Sequence, residues 1–375
     1  MTASSAPMRI AFVIFRLAPA GGLEQHCLRL ADILTGRGAA VTLITTRAPD
    51  APPAGLAIEI VRPRGLGNHR RLAAFAEDAA KAVTGRFERT VAFHAIPGFE
   101  MIFCADPSRA LPPIPRRWLP RYRAYAELED QAMAKNGARL VLTLSGAQRN
   151  AFIRNHYAAP ERFALLSPTV DRLRVRPAPS PEARDAARQA LGLQAAGPVW
   201  LWIGLQPKTK GLDRALAALA AVPRARLVVC GLEPARRAGA ARVRRARRLG
   251  VGRRVVWLGF SSEAALSGAM AAADLLLHPS RADVTGTVIL EAMAAGLPVV
   301  TTAVCGYGEH VASAAAGVVL AEPFDPAELR LALSAATPGR LATWSANALA
   351  YAGRDDLFSG LDVAADLILK ASPAT

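Results

Sequence analysis

With 375 residues, 52% of them hydrophobic, and with 27 prolines and 29 glycines spread along its length, the chain suits two compact domains and excludes a disordered or fibrous protein. Its 46 Lys and Arg against 30 Asp and Glu give a formal charge of +16, which attracts phosphate-bearing partners; nucleic acid, anionic membrane and nucleotide-sugar substrates all fit. Cys27, Cys104, Cys230 and Cys305 show no CxxC spacing or His/Cys cluster, which argues against a zinc site and for buried thiols in a reducing cytoplasm.

The apolar run Arg9 to Phe15 predicts a first strand, too short for a signal h-region or a membrane span, so neither is expected. A turn at Pro19 to Gly22 leads to a helix from about Leu23. Helical spacing puts Leu23, Cys27, Leu30, Ala31 and Leu34 on one face and Glu24, Gln25, His26 and Arg29 on the other. Gly36 and Gly38 stop it, and Val41 to Thr45 is the next strand. Further strands are predicted at Ile58 to Val61, Thr90 to Phe93, Leu140 to Leu144 and Phe163 to Leu166, with helices between them. Three prolines between Arg176 and Pro181 suggest a linker, since so many cannot continue a helix or a central strand. The pattern then restarts with strands at Val199 to Ile203, Leu227 to Cys230, Val255 to Leu258, Leu275 to Leu277 and Val299 to Thr302. Helices are expected at Glu233 to Leu249, Glu263 to Ala272 and about Thr287 to Ala295. Such alternation predicts an α/β chain with two Rossmann-like parallel-sheet domains facing a central cleft.

The strongest constellation is Asp283-Val284-Thr285-Gly286-Thr287-Val288-Ile289-Leu290-Glu291, which follows the strand at Leu275 to Leu277. Gly286 lets the backbone approach a ligand, and the helix N-terminus after it favours an anion. Glu291, about a turn further on, suits the hydroxyls of a ribose, and Asp283 suits sugar hydroxyls. A solvated loop acid plus a helix acid that caps or pairs accounts for the spacing equally well.

An acid, seven residues, then Glu, followed by Ala292-Met293-Ala294-Ala295-Gly296-Leu297-Pro298-Val299-Val300, resembles the signature of family 4 retaining glycosyltransferases, which have the GT-B fold. The segments Ala271 to Pro279 and Thr301 to Tyr307 are similar to the bacterial enzymes that glucosylate the lipopolysaccharide core. So are Gly21-Gly22-Leu23, Pro97-Gly98 with Ala105-Asp106, and Tyr157 to Arg162. The likeness runs over nearly the whole chain and is densest between Gly259 and Phe324.

The resemblance implies roles position by position. Glu291 would bind the ribose of the donor nucleotide and Asp283 the hydroxyls of the transferred sugar, with Asp283 one methylene shorter than the family's usual Glu. The amides of Val284, Thr285, Gly286, Thr287 and Val288 would meet the donor phosphate and sugar. In Lys208-Thr209-Lys210-Gly211, Lys210 matches the family's lysine beside the diphosphate. Thr209 stands where an arginine is usual, so Lys208 is expected to compensate. A cation there would stabilise the leaving nucleotide as a divalent metal does elsewhere; no DxD motif lies in a suitable loop, and neither metal nor cofactor is expected. Gly21 and Gly22 offer amides to an anion between strand and helix. A dinucleotide site is excluded, because GxGxxG is absent and Thr45-Thr46-Arg47 offers no acid. His94 would contact sugar or phosphate and Glu100 would orient the acceptor hydroxyl, with a structural role as plausible for each. His26 replaces an acid of the relatives, which changes any acceptor contact there.

Two arginine-rich stretches remain. Arg116-Arg117-Trp118-Leu119-Pro120-Arg121-Tyr122-Arg123 mixes cations with aromatics in a way that suits an anionic bilayer. Arg236 to Arg248 reads as a solvated helix face, with no nucleic-acid module beside it and no nucleic-acid partner expected. The expected organisation is an acceptor domain at 1–172, a linker at 173–195, a nucleotide-sugar domain at 196–340 and C-terminal helices at 341–375 that pack back on the first domain. The expected reaction is metal-independent transfer of a hexose, glucose from UDP-glucose, with retention onto a heptose of the lipopolysaccharide inner core. The enzyme would be cytoplasmic and peripheral on the inner face of the inner membrane. The alternatives are another donor or acceptor, as in capsule, glycolipid or small-molecule glycoside synthesis, and a non-enzymatic basic protein that binds anionic membrane or nucleic acid.

Overall fold

The computed structural model describes residues 6–17, 22–47, 55–109, 119–170, 172, 177–193 and 197–371. They fall into two compact units, Met1–Thr169 with Phe358–Thr375, and Val170–Leu357.

The first unit is built on β1 (Arg9–Val13), β2 (Ala40–Thr45), β3 (Ala57–Ile60), β4 (Arg89–Ala92), β5 (Met101–Cys104), β6 (Leu140–Thr143) and β7 (Phe163–Leu165). They form one parallel sheet in the order β3-β2-β1-β4-β5-β6-β7. Helices α1 (Gly22–Gly36), α2 (Asn68–Val83), α3 (Pro120–Met133) and α4 (Gly146–His156) link the strands. Strand order reverses between β1 and β4, which is where open α/β sheets place ligands. Phe93 holds the core together there, with its ring 5.0 Å from Phe12 and 5.3 Å from Phe103. Strand β5, Met-Ile-Phe-Cys, goes unread in the sequence because four buried apolar residues show no period of their own.

His26 departs from the expectation that it faces solvent on α1. It is 9% exposed, its Nε2 lies 2.9 Å from Thr169 Oγ1, and its ring is 5.8 Å from Phe103. Helical periodicity finds the face turned to the sheet, but α1 is also covered by α13 (Gly360–Lys370), so its buried arc is wider than its apolar stripe. Arg37 of the α1–β2 turn pairs with Asp362 at 2.7 Å and Asp366 at 2.6 Å.

The second unit carries β8 (Val199–Ile203), β9 (Arg226–Cys230), β10 (Val255–Gly259), β11 (Leu275–His278), β12 (Val299–Thr302) and β13 (Gly317–Leu320). Its parallel order is β10-β9-β8-β11-β12-β13, so its switch point lies between β8 and β11. The helices are α5 (Pro181–Ala190), α6 (Leu212–Ala221), α7 (Arg237–Arg248), α8 (Glu263–Ala272), α9 (Thr287–Ala294), α10 (Gly308–Ala314), α11 (Pro326–Ser334) and α12 (Pro338–Ala352).

Two expected boundaries differ from what the structure shows. Within 173–195, residues 181–190 are helical: Pro181 sits in the first turn of α5, where its missing N–H costs nothing, and Ser180 caps that helix. Arg184 and Arg188 then anchor α5 to Asp274, Arg188 at 2.8 Å. At the other end α12 packs on α9 and α10 of the second unit, and of the two C-terminal helices only α13 belongs to the first. The return falls at Phe358. Gly360 lies there against the carbonyls of Ser167 and Pro168, where a Cβ would come within 2.1 Å of the Ser167 oxygen.

Candidate functional site

The loops after β8 and β11 meet at the switch point of the second unit. Gly211 makes this possible: its φ is 69°, and a Cβ there would lie 1.9 Å from the Pro279 carbonyl oxygen. Arg281 straps the two loops together. Its N–H donates to Thr209 O at 2.7 Å, its Nη1 to Lys208 O at 2.8 Å, and its guanidinium grips Asp213 at 2.8 and 2.7 Å. The loop after β12 closes the other side, with Gly306 N–H donating to Asp283 O at 3.1 Å and Tyr307 N–H to Thr285 O at 2.7 Å.

Asp283 is the centre of this assembly. Its Oδ2 is 2.5 Å from Lys210 Nζ and 2.9 Å from His278 Nε2, and its side chain is 8% exposed. Lys210 is held from behind, its N–H donating to Gln206 O at 2.8 Å and its carbonyl accepting from Trp202 Nε1 at 2.9 Å. Burial alone would raise the Asp283 carboxyl; the hydrogen bond from His278 and the charge of Lys210 outweigh it and hold the group below the usual carboxylate range. Burial alone would lower His278, but Asp283 and Cys305 leave it above the ordinary imidazole value. The Cys305 thiol is likewise lowered, because His278 outweighs its burial.

His278, Asp283 and Cys305 bring their ligand atoms within 4.8 Å of one another, a trio of metal-ligating types. The Asp283 oxygen among them is matched by Lys210 and His278, so the protein supplies the balancing charge.

Gly286, at φ 76° and ψ 54°, turns the chain from this loop into α9 and leaves the helix start without a side-chain cap. A Cβ there would stand 3.3 Å from Asp283 Oδ2 and 3.0 Å from Ile289 Cδ1. The half-buried residues Val284, Thr285, Thr287 and Val288 surround this turn. Glu291, one turn into α9, is 5% exposed, on a helix otherwise enclosed by apolar residues. Lys208 is exposed at the rim. The unit thus concentrates a lysine, an acid and a helix N-terminus at one point, a combination able to hold a phosphate beside a polyhydroxy group.

The first unit treats its expected residues unevenly. Gly21 lies outside the described residues, as do Arg116, Arg117 and Trp118; Gly22 opens α1 and is exposed, and Arg121 and Arg123 lie in α3. His94 follows β4 at the switch point, with its Nδ1 3.6 Å from Asp106 Oδ2. Asp106 also pairs with Arg109 at 3.1 Å, and Arg109 lies over the Tyr125 ring at 4.9 Å. This loop is fixed by the buried Glu129, which accepts from Arg109 N–H at 2.8 and 2.9 Å and Ser108 Oγ at 2.7 Å, and meets His156 Nε2 at 2.7 Å.

Glu100 is not brought to His94. Its N–H donates to Thr90 Oγ1 at 2.9 Å, which puts it at the amino edge of β5, and its carboxylate is bound by Arg139. The chain between β4 and β5 has no helix and runs straight back along the sheet, so eight residues carry Glu100 to the edge opposite His94. That placement, paired with Arg139 at the amino edge of the sheet, lends an acceptor-orienting role no support.

His278, Cys305, Arg281, Asp106 and Glu129 escape the sequence reading. Cys305 reads there only as a buried thiol.

Comparison with known proteins fits this geometry. The model of the family "Glycosyl transferases group 1" matches residues 183–345. The chain is 34% identical to lipopolysaccharide glucosyltransferase WaaG of Escherichia coli, over 96% of its own length and 98% of that protein's. A crystal structure of WaaG superposes with a TM-score of 0.86 at 32% identity, covering 96% of this chain and 100% of that one. An Anabaena protein, Alr3699/HepE, solved with UDP-glucose, shares the fold at 21% identity and a TM-score of 0.72, over 96% of this chain and 99% of its own.

Proposed function

The chain belongs to the group 1 glycosyltransferases, as a nucleotide-sugar-dependent hexosyltransferase, and from this we propose that it transfers glucose from UDP-glucose to a heptose of the lipopolysaccharide core, retaining the anomeric configuration. One observation carries the reading: the Lys210–Asp283–His278 group beside the uncapped start of α9, at the switch point of the second unit.

In this reading the donor diphosphate lies against the amides around Gly286, with Lys210 beside it. As the sugar–phosphate bond breaks, charge grows on the departing nucleotide, and a fixed cation and helix N-terminus stabilise it without reorganising. Asp283 acts in two ways: Oδ2 positions Lys210, and Oδ1 accepts from hydroxyls of the sugar. His278 fixes the orientation of that carboxylate, which lets the short Asp serve where relatives use Glu. Glu291 accepts from the ribose hydroxyls, and Lys208 adds charge at the rim. His94, oriented by Asp106, serves the sugar or the phosphate.

The donor is suggested by the likeness to a glucosyltransferase and the acceptor by that enzyme's lipopolysaccharide substrate. Among the described residues no helix is long and apolar enough to cross a membrane. A cytoplasmic enzyme that meets its glycolipid peripherally at the inner membrane, through the positive charge of the chain, completes the proposal.

A thermal-shift screen with UDP, GDP, ADP and their sugars tests the donor, since a ligand that binds only the folded state raises its melting temperature. UDP and UDP-glucose should stabilise the chain most, and Lys210→Ala should remove most of that gain. Equal stabilisation by all three nucleotides, or a gain untouched by Lys210→Ala, would overturn the assignment.

A further inference from the structure

Behind the donor loops, α6 lies between α7 and α11, and a hollow of about 320 Å³ opens over it, at the lower end of the roughly 300–1,000 Å³ typical of small-ligand pockets. Arg214, Arg245, Arg281 and Arg330 line it together with Asp213 and Phe324. Four guanidinium groups around one hollow repel each other unless an anion joins them. Asp213, the acid in the lining, is already engaged by Arg281 at 2.8 and 2.7 Å.

The other three arginines have no such match. Among the described residues Arg214, Arg245 and Arg330 form no ion pair with a carboxylate. Arg214 donates to the carbonyls of Pro279 and Ser280 at 3.2 and 2.9 Å and lies over the Phe324 ring at 3.7 Å. Burial and the charge of Arg281 push its pKa down, against smaller opposing effects of Glu322 and Asp213. Arg245 Nε is buried and has no hydrogen-bond partner. Guanidinium donors that line one hollow match the oxygens of a phosphate, which they can grip in pairs.

We infer that this hollow binds a phosphate-bearing anion at a second site, and that Arg281 transmits its occupancy to the donor loop. Arg281 is the link because it lines the hollow while its own groups hold the carbonyls of Lys208 and Thr209. An anion that competes with Asp213 for Arg281 loosens or re-aims the segment that carries Lys210. The coupling rests on the donor-site reading above; the binding does not. The phosphate comes either from a free diphosphate or from a lipid headgroup.

Isothermal titration of the full chain with inorganic pyrophosphate, after the donor site is saturated with UDP, should show one further site. The Arg245→Ala/Arg330→Ala double variant should weaken it tenfold or more, and so should Arg330→Glu, whose exposed position guards against a folding defect. Co-sedimentation with phosphatidylcholine vesicles containing phosphatidic acid separates the sources. Binding lost in the double variant identifies a lipid headgroup, and pyrophosphate binding without vesicle binding identifies a free anion. In the coupling assay pyrophosphate competes at the donor site of both proteins, and the donor KM of the wild type should shift further than that of the double variant, whose activity without pyrophosphate matches the wild type. If UDP does not bind, the same titration without UDP still compares wild type and variants. No second site, or a site of equal affinity in both variants, would falsify the proposal.

Discussion

The switch points of the two units have the same place in the same kind of doubly wound sheet, yet they organise charge differently. Between β8 and β11 a lysine, an acid and a histidine are held around an open helix start, and the opposite charges stay at the mouth of the site. In the first unit, one strand beyond the switch point between β1 and β4, the buried Glu129 gathers its donors into a closed knot that fixes the loop after β5. Topology supplies a ligand position in both; the side chains decide whether charge is left open there or closed into a brace.

Glu129→Ala tests the brace and should have the largest effect. It strands buried donors and should cost about 3–5 kcal/mol of stability in the first unit, read as a lower denaturant midpoint. UDP affinity below the new melting temperature should fall far less than on Lys210→Ala, and an equal loss would break the contrast.

Lys210→Ala should lower kcat by about 10²–10³, on the order of 3–4 kcal/mol of transition-state stabilisation, with a smaller change in KM. Glu291→Ala should cost a similar or somewhat smaller amount, about 2–4 kcal/mol. Near-normal turnover of either variant at saturating donor would remove it from the donor site.

His26 separates burial from function. Its pKa is lowered to about 4, first by burial and then by the charge of Arg29. The unfolded chain therefore takes up the proton first as pH falls below about 6.5, and stability declines from there down to about pH 4. The full loss is on the order of 3 kcal/mol. His26→Gln should flatten that limb of the stability profile in urea titrations, and an unaltered slope would show that other groups cause it.

Glu100→Gln should do least, no more than about 1 kcal/mol of stability, because its partner Arg139 is 41% exposed. A hundredfold fall in kcat would restore Glu100 to the reaction.

Much of the fold is legible because parallel strands buried on both faces leave apolar runs, and Gly and Pro mark where they stop. Strands β5 and β13 go unread: Met101 to Cys104 is buried throughout and Gly317 to Leu320 shows no alternation, so neither has a period of its own. The prolines before α5 mislead for a different reason: one of them begins a helix instead of preventing it.

At the candidate site, local order alone determines that a glycine turn starts a helix after Asp283, that Glu291 follows a turn later, and that lysines stand after β8. These features lie within a few residues of one another, where chain geometry fixes their relation. The tertiary structure alone decides that Lys210 meets Asp283, that His278 holds the same carboxylate, that Arg281 straps the loop to α6, that His26 is buried and that Glu100 faces away. Each of these depends on which strands lie side by side or on what covers a helix. A periodicity reports one face of one element and carries no information about its neighbours.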